Sequence, residues 1–287
     1  MSPFDAWANP MPGERLRAPG SERGARSPST TGAMHDRVVP DDEVLRFGEE
    51  AARRLASILG PSLVGAYFVG SVALGDYVRG RSDIDIAAVS ARVLSRDEKT
   101  EVVGALSHPH LLCPARGLEL VIYLRSLVEL AAKEAAFEVN LDTGPGIPNH
   151  VGFDPDQEPW FWFVIDRAIA HERGVRITGP PPSELFAPIP PAWLIEALSG
   201  SIAWHRAHRS LDSNSVLNAC RAWRYAEEGV LTSKADGASW AARRWREPSL
   251  IQSALRVRPS QLASADEAGI AAFLDQVETV VDTNAHP

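Results

Sequence analysis

The sequence predicts an α+β protein: an N-terminal domain built on a small mixed sheet, followed by an all-α helical bundle domain. Three observations predict it. Short apolar runs at residues 63–69, 84–89 and 118–124 have the length and composition of strands. Residues 143–148, Thr-Gly-Pro-Gly-Ile-Pro, then break the pattern. Beyond them nearly every stretch has helical periodicity with short connections, the pattern of an antiparallel bundle.

Each element follows in order. Residues 1–36 are rich in Pro, Gly, Ser and Arg without a hydrophobic period and read as a disordered leader; a second reading starts the protein at Met34. Residues 40–60 read as a helix, with Val44, Leu45, Ala51, Leu55, Ile58 and Leu59 near helical spacing and Gly60 able to cap its end. The first strand runs straight into Gly70-Ser71. Asp85 is embedded in the second. Ser95-Arg96-Asp97-Glu98 is a capping box that opens a helix to about Leu106. The third strand completes the N-terminal domain, residues 37–148. Residues 149–287 form the helical domain, with helices expected over 158–172, 192–208, 214–228, 233–245 and 264–281. Gly174 and Gly229 stop two of them, Ser233 caps the fourth, and Ser264-Ala265-Asp266-Glu267 is a capping box for the last.

Composition excludes several function classes. The chain has 287 residues and a formal net charge of -8. A protein that grips nucleic acid displaces phosphate counterions with a basic face, so the sign argues against that partner. It suits a small cationic substrate better. No apolar run reaches the length of a membrane span and no signal peptide is evident, so a cytoplasmic protein is expected. Cys113 and Cys220 fit neither a zinc spacing nor a disulfide framework.

The chemistry begins at Gly70-Ser71. A Gly directly after a strand lets backbone approach a ligand, and the Ser adds a hydroxyl suited to a phosphate oxygen; a plain turn is the other reading. Asp83 and Asp85, two apart at the start of a strand, share a face. Two like charges side by side repel unless a cation neutralises them, and hard oxygen ligands suit Mg²⁺. Two solvated acids at a strand end would be the alternative, but Ile84 and Ile86 mark the opposite face as core. Glu119 interrupts an apolar strand and needs a partner, which the Asp83/Asp85 strand would supply if adjacent; an edge strand facing water is the alternative. Arg221 lies among Leu217, Ala219, Cys220 and Trp223, where a triphosphate or a neighbouring acid would balance its charge. Lys234 lies in the first turn of a helix, an unfavourable place for a cation, or is simply solvated. Trp160, Phe161, Trp162 and Phe163 read as helix packing against the N-terminal domain. His205 and His208 sit at helical spacing but lack a third metal ligand.

These residues carry a resemblance. Gly70-Ser71, Gly75-Asp76 and Ser82-Asp83-Ile84-Asp85-Ile86 resemble the signature of the DNA polymerase β-type nucleotidyltransferase superfamily. Residues 217–223 with Arg221 and Trp223, then Glu227-Glu228-Gly229, Ser233-Lys234 and Ser239-Trp240-Ala241, resemble the helical domain of the streptomycin/spectinomycin adenylyltransferases. The resemblance covers residues 40–285. It implies ATP and Mg²⁺ as cofactors. It implies Asp83, Asp85 and Glu119 as the catalytic and metal-binding acids, with Glu119 as general base. It implies Gly70, Ser71, Ser82, Arg221 and Lys234 at the nucleotide. The acceptor implied is a small cationic aminocyclitol, which acids of the cleft would attract: Glu138, Asp142 and Asp212 are candidate substrate contacts, with Asn140 where the family's cleft has an aromatic residue, and a monomer or weak oligomer is expected. Departures near Asn140, Trp204 and Asp212, and Arg256 and Arg258 where the family has a Tyr, favour a spectinomycin-like acceptor over streptomycin and leave a non-drug acceptor open. Two rivals stand beside this reading: a nucleotidyltransferase acting on a protein or nucleic acid in regulation or a toxin–antitoxin system, and a binding module without catalysis.

Overall fold

The computed structural model describes residues 41–135, 137–207, 211–256 and 267–285. The leader, Pro40, His208, Arg258 and the first three residues of the 264–267 capping box lie outside them. The sheet has six strands in the order β5-β4-β3-β2-β1-β6: β1 Leu63–Phe68, β2 Ile84–Ser90, β3 Leu118–Leu124, β4 Phe137–Thr143, β5 His150–Gly152 and β6 Val175–Thr178. Only β2 and β3 pair in parallel; the other neighbours are antiparallel.

The sheet is wider than its three apolar runs suggest. The Gly-Pro segment at 144–148 does not end it, because β5 and β6 return from residues beyond Pro148. Both are short and half-exposed, so neither carries an apolar run. β4 reads Phe-Glu-Val-Asn-Leu-Asp-Thr, and its alternating polar residues hide it from a search for apolar runs.

Two cores lie on the two faces of the sheet. Helices α1 (Asp42–Leu59) and α3 (Arg96–Leu106) cover one face, over Ala66, Phe68, Ile84, Ile86, Ala88, Leu118, Leu120, Ile122, Val139 and Leu141. The expected capping box holds α3: Ser95 accepts from Glu98 N, and the Glu98 side chain returns to Ser95 N. The opposite face presents Tyr67, Val69, Ala87, Val89, Tyr123 and Phe137 to the helical half in one continuous core. Phe163 meets Phe137 at 4.8 Å and Tyr123 at 6.5 Å between ring centroids.

The helical half follows the sequence closely: α5 Trp160–Arg173, α7 Pro191–Ala207, α8 Ser213–Glu228, α9 Lys234–Ala242 and α11 Glu267–Ala285. Gly229 closes α8 in the left-handed conformation at φ 66°. The stretch read as one helix from 233 to 245 is shorter, and a further helix, α10 Pro248–Arg256, follows it. Short helices α2 (Gly70–Ala73), α4 (Arg125–Val128) and α6 (Pro182–Leu185) and two single 3₁₀ turns, Gly60–Ser62 and Pro155–Gln157, complete the described elements. No described helix is long and apolar enough to cross a membrane.

Candidate active site

The bundle-facing side of the sheet changes character along its strands. At one end it is apolar and packed. At the other it carries acids. Asp85 on β2 lies directly opposite Glu119 on β3, Glu119 opposite Asp142 on β4, and Asp142 opposite His150 on β5. The period-two alternation places Asp85, Glu119 and Asp142 on the face shared by Ala87, Val89 and Tyr123. Asp83 precedes β2 in the turn. Its Oδ2 lies 3.8 Å from Arg116 Nη1, while its buried Oδ1 has no hydrogen-bond partner.

Gly70 makes this arrangement possible. It sits at φ 53°, and a Cβ there would lie 2.0 Å from Asp85 Oδ2. The chain therefore turns tightly over the Asp85 carboxyl, and Ser71 N–H points at Asp85 Oδ2 from 3.4 Å. Ser71 Oγ reaches the Asp83 carbonyl at 3.5 Å. The Ser82 hydroxyl instead accepts from Val78 N at 3.0 Å and closes the loop before β2.

Two buried cations of the bundle lie within electrostatic range of the acids. Lys234 Nζ donates to Asn214 Oδ1 at 2.9 Å, and Arg221 Nε donates to the Thr232 carbonyl at 3.0 Å. Burial pulls the Lys234 ammonium below its ordinary value, aided by Arg221 and opposed by Asp85, Glu119 and Asp83. Burial acts likewise on Arg221, opposed by Asp166, Asp85 and Asp76.

Crowded acids show the opposite shift. Burial, with Asp85 adding, pushes Asp83 up to about 6 against Arg116 and Lys234. Burial raises Asp85, although Lys234 and a hydrogen bond to Glu119 oppose it. Glu119 is open to cleft water, yet it is ringed by protein and by Asp85, Asp142, Asp83 and Asp166, which hold its carboxyl well above the usual range. Asp142 reaches about 6 through burial, with His150 opposing. Five acids against two buried cations is an unbalanced site in want of positive charge.

Asp83 and Asp85 fit a divalent cation. Both offer hard oxygens, a buried oxygen of Asp83 is unpartnered, and Gly70 lacks the Cβ that would collide with the Asp85 carboxylate. Among the described residues no three His, Cys, Asp or Glu side chains are already gathered as a cation cage. Glu119 faces Asp85 and Asp142 across the strands instead. Beside these acids lies a cavity of about 250 Å³ lined by Asp83, Arg116, Glu119, Asp142, His150 and Asn214 among others. His150 Nε2 meets Glu158 Oε1 at 2.5 Å on its rim.

The candidate substrate residues divide. Asp142 lines the cavity. Asn140 lies two residues along β4, opposite Val121 and Gly152. Glu138 is turned away: the register of β3 and β4 shifts between Ile122 and Tyr123, so Phe137 faces the bundle and Glu138 faces α3. There it pairs with Lys99 at 2.9 Å and accepts from Leu94 N at 3.0 Å, which corrects its reading as a cleft acid. The Asp212 carboxylate is also committed, as the N-cap of α8 accepting from Ser215 N at 3.0 Å.

Sequence reasoning missed Asn214, Arg116, His150 and Asp166. Asp166 stands on α5 among apolar neighbours, pushed to about 7 by burial and Asp85 while Arg221 opposes. A lone acid inside Phe-Trp-Phe-Val-Ile-Asp-Arg-Ala-Ile-Ala was the available signal. The other three come from a loop (Arg116), a short edge strand (His150) and a helix start (Asn214) with no local pattern.

Comparison with known proteins agrees with this geometry. Residues 49–141 match the model of a nucleotidyltransferase domain. Residues 184–283 match the model of the aminoglycoside adenylyltransferase C-terminal domain. No curated protein matches the chain by sequence. Among solved structures, a spectinomycin adenyltransferase, AAD(9), from Enterococcus faecialis, crystallised with ATP and spectinomycin, is similar at TM-score 0.61 and 16% identity. The match covers 83% of this chain and 98% of that one, and shows a shared fold.

Proposed function

We propose that this nucleotidyltransferase, which belongs with the aminoglycoside adenylyltransferases, transfers AMP from ATP to a hydroxyl of a small cationic aminocyclitol and releases pyrophosphate. One observation carries the reading: Asp85, Glu119 and Asp142 stand in register on three adjacent strands, with Lys234 and Arg221 brought to them from the bundle.

The residues divide the work. Arg221 and Lys234 supply fixed positive charge for the phosphates, and the Gly70-Ser71 corner lets backbone approach them. Bound to Asp83 and Asp85, Mg²⁺ would neutralise the acids and stabilise charge on the phosphate oxygens. Glu119 accepts the proton of the acceptor hydroxyl. That oxygen bonds to the α-phosphorus, the bond from the α-phosphorus to the bridging oxygen breaks, and its electron pair leaves with pyrophosphate. Asp142 sits one strand beyond the base, where a protonated amine of the acceptor would offset its charge. The cavity is close to the lower end of the size range of small-molecule sites. The negative net charge and the carboxylate-rich cavity support the same acceptor class. A cytoplasmic setting agrees with ATP as donor.

The test is direct. Full-length enzyme is incubated with Mg²⁺, ATP and separate aminoglycosides and aminocyclitols, spectinomycin and streptomycin included. Mass spectrometry should find one acceptor heavier by an adenylyl group, with pyrophosphate in equal amount. Transfer from labelled ATP to a protein or RNA of a cell extract, with no small-molecule product, would overturn the acceptor class. Absence of any magnesium-dependent ATP binding would overturn the enzyme reading.

A further inference from the structure

We propose that Asp76 is a positioning residue: its carboxylate latches the first turn of α9 and so holds Lys234 facing the catalytic acids. The inference rests on the adenylyl-transfer reading.

Asp76 is fixed at its backbone to the phosphate corner. Gly75 turns the chain at φ 70°, and Asp76 N–H donates to the Ser71 carbonyl at 2.9 Å. Its side chain then crosses to the helical half. Asp76 Oδ2 accepts from Ala235 N–H at 3.0 Å, a bond between residues 159 apart in sequence.

The physical sense lies in the helix end. The first N–H groups of a helix have no partner within it. Ser233 satisfies the N–H of Asp236 at 3.1 Å, and Asp76 satisfies that of Ala235. A negative charge is also favourable at the positive end of a helix dipole. Lys234, the residue before Ala235, is a cation placed against that dipole, and Asp76 offsets the cost.

The seat of α9 sets both cations. Lys234 opens the helix. Gly237, one turn on, lies so close that an added Cβ would stand 3.2 Å from the Arg221 backbone N and Cγ. The same loop makes a second tie, as Arg81 Nη2 reaches the Ala254 carbonyl in α10 at 3.5 Å. Residues 75–82, which run from the Gly75-Asp76 part of the nucleotidyltransferase signature to Ser82, therefore connect the sheet to α9 and α10.

Amide hydrogen exchange and Mg-ATP titration test the latch on the full chain. In the wild type the Ala235 amide should exchange slowly for a first-turn residue. Exchange as fast as that of an unpartnered first-turn amide would overturn the proposal without any variant. Asp76→Ala should quicken exchange at Ala235 and weaken Mg-ATP binding roughly five- to tenfold, the scale of one lost helix cap. Asp76→Asn keeps an acceptor oxygen but loses the charge, so it should bind Mg-ATP more tightly than Asp76→Ala and within about threefold of wild type. Unchanged Mg-ATP binding in Asp76→Ala, or Asp76→Asn as weak as Asp76→Ala, would overturn the latch. Absence of Mg-ATP binding in the wild type would defeat the adenylyl-transfer reading itself.

Discussion

The two ends of one sheet face do opposite work. Toward one end Tyr67, Ala87, Val89, Tyr123 and Phe137 meet the helical half in a closed core. Toward the other Asp85, Glu119 and Asp142 line up in an open cleft. The same strands carry both, so backbone geometry cannot be the difference. The apolar end offsets the entropy of folding. The acidic end opposes folding, since its like charges repel, and is stabilised only by what binds there. Stability and chemistry are thus separable by position along a strand.

The largest expected effect comes from breaking the acidic end. Asp85→Asn and Glu119→Gln should each lower kcat/KM by at least about a thousandfold, or about 4 kcal/mol of transition-state stabilisation. Neither should lower the melting temperature, because each removes a charge from a crowded set. Asp85→Asn should lose Mg-ATP affinity, and Glu119→Gln should keep it. Ordinary turnover in Glu119→Gln would show that another group takes the hydroxyl proton.

The mirror experiment breaks the packed end. Phe163 is buried at 3% exposure between Tyr123 and Phe137. Phe163→Ala should cost about 3–5 kcal/mol of stability through lost burial and a cavity. The fraction that remains folded should keep its acceptor KM. A stable Phe163→Ala protein with altered acceptor affinity would mean that the two ends are not separate.

The two ends were unequally legible in the sequence. The acidic end was readable because its spacing is chemical: Asp85 and Glu119 break apolar runs, Asp83 stands two residues before Asp85, and acids there need a reason. The sheet that carries it was only half readable. β5 and β6 are short edge strands without a hydrophobic pattern, stabilised by pairing with neighbours distant in sequence. Glu138 shows a deeper limit. By simple alternation it shares a face with Asp142, and one irregularity in register reverses it. Asp212 looked like a cleft acid and proved a helix cap, two uses that one residue type serves equally well. Asp76 was visible within a motif, but its partner Ala235 could come only from the fold.

A smaller effect sharpens the claim that the acids oppose folding. Asp83 and Asp142 each titrate at about 6 in the folded protein, against 3.8 for an ordinary Asp. A carboxyl raised by folding binds its proton more tightly folded than unfolded. Its stabilising contribution is complete below 3.8 and is lost as pH rises through about 6. Magnesium-free protein should therefore lose on the order of 1–3 kcal/mol, a few degrees in Tm, from this source between pH 5 and 7.5. Asp83→Asn should flatten part of that slope, and Mg²⁺ should restore Tm at the higher pH. Identical slopes in wild type and Asp83→Asn would remove Asp83 from the account.

The smallest effect separates two acids of a single strand. Asp142→Asn removes a charge from the cavity wall beside Glu119 and should raise the KM of a cationic acceptor about tenfold, near 1.4 kcal/mol, with the KM for ATP unchanged. Glu138→Gln, on the same strand, weakens the buried pair with Lys99 on the far side of the sheet. It should lower Tm and leave the acceptor KM alone. Steady-state kinetics against both substrates, with melting curves for each variant, distinguish the outcomes. A change of acceptor KM in Glu138→Gln but not in Asp142→Asn would mean that the acceptor approaches from the α3 side, and the open end of the sheet face would lose its claim to the substrate.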